Sequence, residues 1–201
     1  MTYIPLSAPM KTTQIINSRL RHPRRNLPAE VGRKRGESNF VSAFTKAYIA
    51  SIAPHGIGAS EFALSGFGIA DFIWLAWRHS TTSEDGTALS VKKIKSQLAG
   101  RKLTAFEMKL TDWRKGFAQA YRYSYFADLA IVVLPPDSAK AAEAELSLFR
   151  KLGVGLWSFE KTSGRIRKLF MPRHSKPRNA RAKEKALESL SRSLKFRQFA
   201  K

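Results

Sequence analysis

The segment ADLAIVVLP, residues 127–135, is a short and continuously apolar run. Such a run is typical of a strand that is buried on both faces of a parallel sheet. Parallel strands occur together with helices that cover those faces, so the run predicts an α/β fold.

The patterns around this run predict the order helix, three strands, helix, strand, then a further helix and strand. The expected elements are a helix at 37–52, hairpin strands at 60–64 and 67–77, a short helix in SVKKIKSQLA, a strand in KLTAFEMKL, a helix at 112–125, the apolar strand, a helix at 138–153 and a strand in VGLWSFE. Gly153 is the expected C-terminal cap of the last helix. The segment 161–201 shows no strand pattern, although Leu187, Leu190 and Leu194 form a narrow apolar stripe on a basic helix.

Charge divides the chain into three parts. Residues 1–36 hold eight Lys/Arg and one acid, and residues 161–201 hold 14 Lys/Arg and two acids. The central 124 residues hold 14 Lys/Arg and 12 acids, and the net charge of the whole chain is +21. We therefore predict a flexible basic arm at 1–36, a folded core at 37–160 and a basic tail with a helix at 161–201. Clustered cations gain affinity for nucleic acids by releasing counterions from phosphates, so the expected partner is DNA, with RNA as an alternative.

Several classes of protein are disfavoured. The chain has no cysteine and only four scattered histidines, which excludes thiolate sites and argues against zinc. The most apolar run, 66–77, is interrupted by Asp71 and is too short to span a bilayer, and residues 1–25 contain no continuous apolar stretch typical of a secretion signal. We expect a cytoplasmic protein with no membrane partner.

One strand carries an acid and a base on the same face. Glu107 and Lys109 are two residues apart, and the preceding hairpin strand can bring Asp71 alongside them. Burying these charges is costly unless they are paired or bind a metal. Mg²⁺ prefers oxygen ligands, which Asp71, Glu107 and the backbone carbonyl of Met108 could supply, with Mn²⁺ as a substitute. Lys109 would then hold a water that attacks a phosphodiester.

Asp71 followed by Glu107-Met108-Lys109, within this order of elements, resembles the PD-(D/E)XK nuclease superfamily with its restriction-endonuclease-like core. The resemblance implies a Mg²⁺-dependent deoxyribonuclease in which Asp71 and Glu107 bind the metal and Lys109 orients the water. It covers residues 37–160. Ala70 stands where the family pattern has Pro, and the 36-residue separation of Asp71 from Glu107 requires the segment 78–101 to loop out.

A second element lies on the following helix. Gln119 and Tyr123 share one helix face and resemble the Q-x-x-x-Y element of recombination-associated exonucleases in the same superfamily. The resemblance implies that both residues position the site and the nucleic acid. The alternative is an ordinary interfacial helix face.

Exposed cations near the expected site and in the basic tail are predicted to bind phosphates without reading sequence. These residues are Arg114, Lys115, Lys92, Lys93, Arg178, Arg181, Lys183 and Lys185. The alternative for all of them is a solvated charged face, and the tail helix could also dock on a membrane surface or a partner. Trp113 is either a core residue or a stacking platform for an unpaired base.

The acids also have structural interpretations. Asp71 could be a turn or edge-strand acid, and Glu107 with Lys109 a surface salt bridge of little energetic value. Glu37 could cap the first helix or reach the metal, and Glu61 is expected to be structural.

Three functions therefore compete. A metal-dependent nuclease explains most features. It could be an endonuclease or an exonuclease, and it could form a homodimer. A non-catalytic nucleic-acid-binding protein would retain the same core, and a ribosomal-type structural protein would explain only the charge.

Overall fold

Seven strands form a single mixed sheet in the computed structural model of the protein. The structure describes residues 13–17, 31–51, 56–76, 90–173 and 176–198. The strands are adjacent in the order of the chain. They are β1 (Thr13–Asn17), β2 (Gly56–Leu64), β3 (Gly68–Leu75), β4 (Leu103–Met108), β5 (Leu129–Leu134), β6 (Gly155–Glu160) and β7 (Arg165–Phe170).

Helices cover both faces of this sheet. They are α1 (Val31–Ser51), α2 (Val91–Leu98), α3 (Trp113–Tyr123), α4 (Pro136–Glu143), α5 (Leu146–Leu152) and α6 (Ala180–Gln198). Within the described part of the chain, none of them is long and apolar enough to cross a membrane. The α/β class predicted from the sequence is confirmed.

The sheet combines parallel and antiparallel pairings. Strands β2, β3 and β4 form an antiparallel unit, and β4, β5 and β6 are parallel to one another. Every residue of β5 is buried, as the uninterrupted apolar run predicted. The helix α3 connects β4 to β5 and so brings the chain back to the amino end of the next parallel strand.

The two faces of the sheet have separate cores. One face packs against α1 through an aromatic cluster that includes Phe44, Tyr48, Phe72, Phe106 and Trp157. The other face packs against α3, α4, α5 and α6 through smaller apolar side chains and a few aromatic rings. The second face also carries Glu107 and Lys109, because residues 103, 105, 107 and 109 alternate with Phe106 and Met108, which belong to the aromatic cluster on the first face.

The ends of the chain contribute more structure than the sequence predicted. The sequence predicted no strand after residue 161, and this prediction was wrong, because β7 pairs with β6. The prediction of a flexible basic arm at 1–36 was also wrong in part, because β1 pairs with β2 and α1 begins at Val31 rather than at 37. The other residues of the arm lie outside the described part of the chain. The helix expected at 138–153 is divided into α4 and α5, and Gly153 caps α5 with a φ of 69°.

The helix α6 packs on the core and is joined to it by an ion pair. Ala182, Ala186 and Leu190 are buried, and Nζ of Lys183 lies 2.9 and 2.7 Å from the two carboxylate oxygens of Asp128. Oδ2 of Asp128 also accepts a hydrogen bond from the backbone N–H of Leu103, at 2.7 Å. Lys183 was predicted to bind phosphate, but here its charge is already satisfied by a partly buried carboxylate.

We expect Lys183→Met to lower the free energy of unfolding by about 1–3 kcal/mol, because the partly buried ion pair between Lys183 and Asp128 would be lost. The control is Arg192→Met, which removes an exposed ion pair with Glu188 on the same helix and should cost less than about 0.5 kcal/mol. Urea unfolding of both variants measures the difference. Equal losses would show that the Lys183 pair does not attach α6 to the sheet.

Candidate active site

Asp71 and Glu107 lie opposite each other on adjacent strands. The register pairs Phe72 with Phe106, so the next positions along, 71 and 107, share the other face of the sheet. The regular ladder ends there, and Oδ2 of Asp71 accepts a hydrogen bond from the backbone N–H of Met108 at 2.7 Å. The carboxylate of Asp71 thereby takes the place of a backbone carbonyl at the carboxyl end of β4.

Glu107 is held from two sides although only 1% of it is exposed. Nζ of Lys109 lies 2.6 Å from its Oε1, and the hydroxyl of Tyr123 lies 2.6 Å from its Oε2. The same hydroxyl lies 2.6 Å from the carbonyl oxygen of Ile69, so its single proton is donated to one of two acceptors. Asp71, Glu107, Lys109 and Tyr123, hereafter the acid cluster, are therefore brought together as the sequence predicted.

The helix α3 lies over the acid cluster. Asp112 begins the helix, because its side chain accepts a hydrogen bond from the backbone N–H of Lys115 at 2.9 Å. A Cβ atom on Gly116 would lie 3.0 Å from Cγ of Lys109, so the absence of a side chain lets Lys109 lie against the helix. Sequence reasoning missed Gly116, although a glycine within a helix is itself a signal of close approach.

Asp71 is an unusual carboxyl group. Burial raises its pKa to about 7, and the charges of Glu107 and Glu37 act in the same direction. The hydrogen bond from Met108 and the charge of Lys109 oppose this rise only in part. The cluster holds two carboxyl groups and one ammonium, so it carries an excess of negative charge once both carboxyl groups are ionised.

The other members of the acid cluster have shifted pKa values for related reasons. Burial raises the pKa of Glu107, although Lys109 and Tyr123 oppose the rise. Burial by itself would lower the pKa of Lys109, but the charge and hydrogen bond of Glu107 raise it overall, so Lys109 remains an ammonium. Burial and the charge of Glu107 raise the pKa of Tyr123, which keeps its phenol neutral.

Gln119 occupies the same helix stripe, three residues after Gly116 and four before Tyr123. Its Oε1 atom is buried and accepts no hydrogen bond from the residues that the structure describes. A buried amide oxygen without a partner costs free energy, so the position is suited to a group that enters the site.

Two further acids lie near the cluster in different ways. Glu37 is half-buried and raises the pKa of Asp71 and of Glu107, so it lies close enough for its charge to act on the cluster. Its predicted capping role is wrong, because α1 begins six residues earlier at Val31. Glu61 is opposite Asp71 in the β2–β3 register, but its φ of 51° breaks the pairing and its side chain is exposed. A left-handed backbone is strained for glutamate.

The cations predicted to bind phosphates differ in their surroundings. Lys92, Lys93, Lys115, Arg181 and Lys185 are exposed. Arg114 is exposed too, and its guanidinium lies 4.4 Å from the ring of Trp113. Trp113 is buried and contacts Phe149, so of its two interpretations the core residue is correct.

The donor atoms of the acid cluster fit a hard divalent cation. Oδ1 of Asp71 accepts no hydrogen bond from the described residues, and each oxygen of Glu107 keeps one lone pair after its single contact. The backbone N–H of Lys109 points to β5, where it bonds to Val133, so N–H and C=O of Met108 both point toward β3 and Asp71.

The set is small for a metal site. Among the residues that the structure describes, no three Asp, Glu or His side chains converge as metal ligands. Mg²⁺ is nevertheless commonly bound by one or two carboxylates with water and substrate oxygens completing its shell, so the set fits Mg²⁺.

Comparisons with known proteins identify no relative of established function. No protein-family model matches the chain, and no curated protein matches it in sequence. Among solved structures, the chain is similar to a protein of unknown function from Silicibacter pomeroyi, with 12% sequence identity and a TM-score of 0.48. The match covers 79% of this chain and 86% of that chain.

The raised pKa of Asp71 predicts a pH-dependent stability. Between pH 4 and about 7 the folded protein retains a proton that the unfolded chain releases, so the stability of the wild type falls as pH rises through this window. Asp71→Asn removes this penalty. In EDTA we expect the free energy of unfolding of the variant, relative to that of the wild type, to rise by about 3 kcal/mol between pH 5 and pH 8.

Urea unfolding between pH 5 and 8 measures the effect, with Asp137→Asn as the matched exposed control. A gain that does not grow with pH, or an equal gain in the control, would show that Asp71 is an ordinary surface carboxylate.

Proposed function

We propose that the protein is a metal-dependent nuclease that hydrolyses phosphodiester bonds of DNA. The observation that carries the proposal is the buried Glu107, which lies opposite Asp71 and next to Lys109 at the end of β4, in a cluster with excess negative charge. A divalent cation would relieve that excess. We assign the core to the restriction-endonuclease-like class of the PD-(D/E)XK superfamily as part of the same proposal.

The ligands of the cation would be Asp71, Glu107 and the carbonyl of Met108. Mg²⁺, or Mn²⁺ in its place, would act as a Lewis acid that stabilises charge on the phosphate oxygens. Tyr123 and Lys109 hold the carboxylate of Glu107 in one orientation from opposite sides. Both residues therefore position a ligand, which is the role expected of a surrounding shell of hydrogen bonds.

Lys109 has a second role. The charge and hydrogen bond of Glu107 raise the pKa of Lys109 and so favour its ammonium form, which donates hydrogen bonds. An ammonium has three N–H donors, and the described contacts use one of them on Glu107. The other two can bind the attacking water and a phosphate oxygen that gains charge in the transition state. The water oxygen bonds to phosphorus, the P–O ester bond breaks, and the proton lost by the water passes through solvent to the departing alcohol oxygen.

Substrate phosphates would be held beside this centre by exposed cations. Arg114 and Lys115 lie on the first turn of α3, directly after the cluster strand and its short loop. Gln119, with its unpartnered oxygen, lies one turn further along the same helix. These positions support the roles implied by the resemblance.

A non-catalytic nucleic-acid-binding protein remains the second candidate. The observation that favours it is the small ligand set, since among the described side chains no three Asp, Glu or His converge as metal ligands. The two candidates differ in whether binding leads to cleavage.

The decisive experiment is cleavage of labelled linear, circular and single-stranded DNA with Mg²⁺, Mn²⁺ or EDTA. We expect cleavage only with metal, and at least a hundredfold loss in Asp71→Asn, Glu107→Gln and Lys109→Ala, because each removes a metal ligand or a charge that stabilises the transition state. Glu143→Gln and Lys140→Ala, both exposed and outside the cluster, are the matched controls. DNA that is bound but never cut would favour the second candidate.

Metal binding has a readout that does not depend on activity. Mg²⁺ should raise the melting temperature of the wild type, since a ligand that binds only the folded state stabilises it. The rise should be absent in Asp71→Asn and in Glu107→Gln and retained in Glu143→Gln.

Gly116→Ala tests the placement of Lys109. The added Cβ would lie 3.0 Å from Cγ of Lys109 and 3.3 Å from Cγ1 of the buried Val132. Alanine favours the helix by about 1 kcal/mol, which should offset part of this crowding and keep the protein folded. The new Cβ would displace Lys109, so we expect the cleavage rate to fall at least about tenfold. Ala118→Val, on the exposed face of the same helix, should retain the wild-type rate. Full activity in Gly116→Ala would contradict the assigned role of Lys109.

A further inference from the structure

A cleft of about 500 Å³ lies apart from the acid cluster, where α5 ends and the chain enters β6. Its walls are formed by the end of α3 at Ser124, the last turn of α5, and residues 170–173 that follow β7. Gly153 precedes β6, so the cleft is at the amino end of the parallel strands. The acid cluster is at the carboxyl end of β4.

The lining of this cleft is strongly cationic. It includes Arg150, Lys151, Arg173 and Arg178, and it includes no acid. In the described part of the chain, none of these four side chains forms an ion pair, whereas Lys109, Lys183 and Arg192 do. Four like charges around one concavity repel each other, so the arrangement is suited to an anionic ligand.

Arg178 is held in place before any ligand binds. Its backbone N–H donates to the carbonyl of Ser124 at 3.1 Å, and its guanidinium lies 5.0 Å from the ring of Tyr121. Its Nη2 atom also lies 3.4 Å from the carbonyl oxygen of Leu152. A guanidinium has five N–H donors, so most remain for a ligand, and less entropy is lost on binding because the group is already oriented.

The helix end alone does not explain the cluster. Arg150 and Lys151 occupy the last turn of α5, where cations are favourable near a helix C-terminus. Arg173 and Arg178, however, come from a different segment, and Arg178 already binds a carbonyl of that helix end. The convergence of two segments requires a further reason.

We propose that this cleft binds the backbone phosphates of a nucleic-acid strand, as a site separate from the acid cluster. Its volume is within the range of pockets that hold a ligand the size of a nucleotide. Phe170 and the exposed Met171 provide an apolar surface beside the cations, suited to a sugar or base. A net charge of +21 favours an extended polyanion over a small phosphate.

The position of the cleft connects it to the acid cluster. Ser124, in the cleft wall, directly follows Tyr123, whose hydroxyl contacts Glu107. A strand bound in the cleft can therefore extend along α3 toward the cluster. Phosphate binding in the cleft requires neither metal nor hydrolysis, so it stands independently of the nuclease proposal.

The test compares two double variants that remove the same charge. Arg150→Ala with Arg173→Ala alters the cleft, and Lys140→Ala with Lys161→Ala alters exposed cations outside it. Anisotropy of a labelled DNA strand is measured over a salt series in EDTA, so cleavage plays no part. The cleft variant should bind at least about tenfold more weakly, with a salt slope lower by roughly 1.4–1.8, since two phosphate contacts are lost. The control should keep the slope of the wild type.

Equal weakening in both double variants would reduce the effect to net charge and overturn the proposal, as would wild-type affinity in the cleft variant. If poly-glutamate displaces the labelled strand as effectively as unlabelled DNA does, the cleft is a site for an acidic protein. If dilute inorganic phosphate displaces the strand, the cleft is a site for a small anion. The assay contains EDTA and measures no cleavage, so its outcome does not depend on the nuclease proposal.

Discussion

The structure around the candidate site depends on one buried carboxylate. Glu107 is almost entirely excluded from solvent, and an isolated charge there would cost several kcal/mol. Its contacts with Lys109 and Tyr123 offset part of that cost and draw together two elements, the end of β4 and the end of α3. The contact between Lys109 and the helix in turn requires the glycine at 116. A short strand and a short helix are thereby fixed relative to each other by a polar group that an apolar core would not contain.

Asp71 adds a second cost that the protein alone does not offset. Burial raises its pKa to about 7, and the facing carboxylate of Glu107 and the more weakly acting charge of Glu37 contribute to this rise. A fold under selection for stability alone would avoid two facing acids in a partly buried position. Strongly shifted pKa values in a polar cluster are typical of sites that bind ions or perform chemistry. The backbone of Glu61, on the strand next to Asp71, is strained by its positive φ. Local strain of this kind costs free energy and is common near functional sites.

Much of this arrangement could be predicted from sequence because it depends on local periodicity. The apolar run of β5 and the two-residue spacing of Glu107 and Lys109 each fix a face or a burial state without knowledge of distant contacts. The missed features depend on partners far along the chain. The pairing of Lys183 with Asp128 spans 55 residues, and β7 is an edge strand whose exposed cations hide any alternation. The buried stripe of α6 includes Ala182 and Ala186, which are too small to mark a core face by pattern alone.

The helix α3 relates the acid cluster to the cationic cleft. Gly116 lies against Lys109 near one end of the helix, and Ser124 follows the other end in the wall of the cleft. Eight residues of helix separate these positions by about 12 Å, which is roughly the rise of three to four nucleotides along a duplex strand. Because α3 is packed against β3, β4 and β5, this separation is fixed by the core. If both proposals hold, a strand bound in the cleft would present a defined phosphate to Lys109, so the site would select position along the strand by distance and not by base.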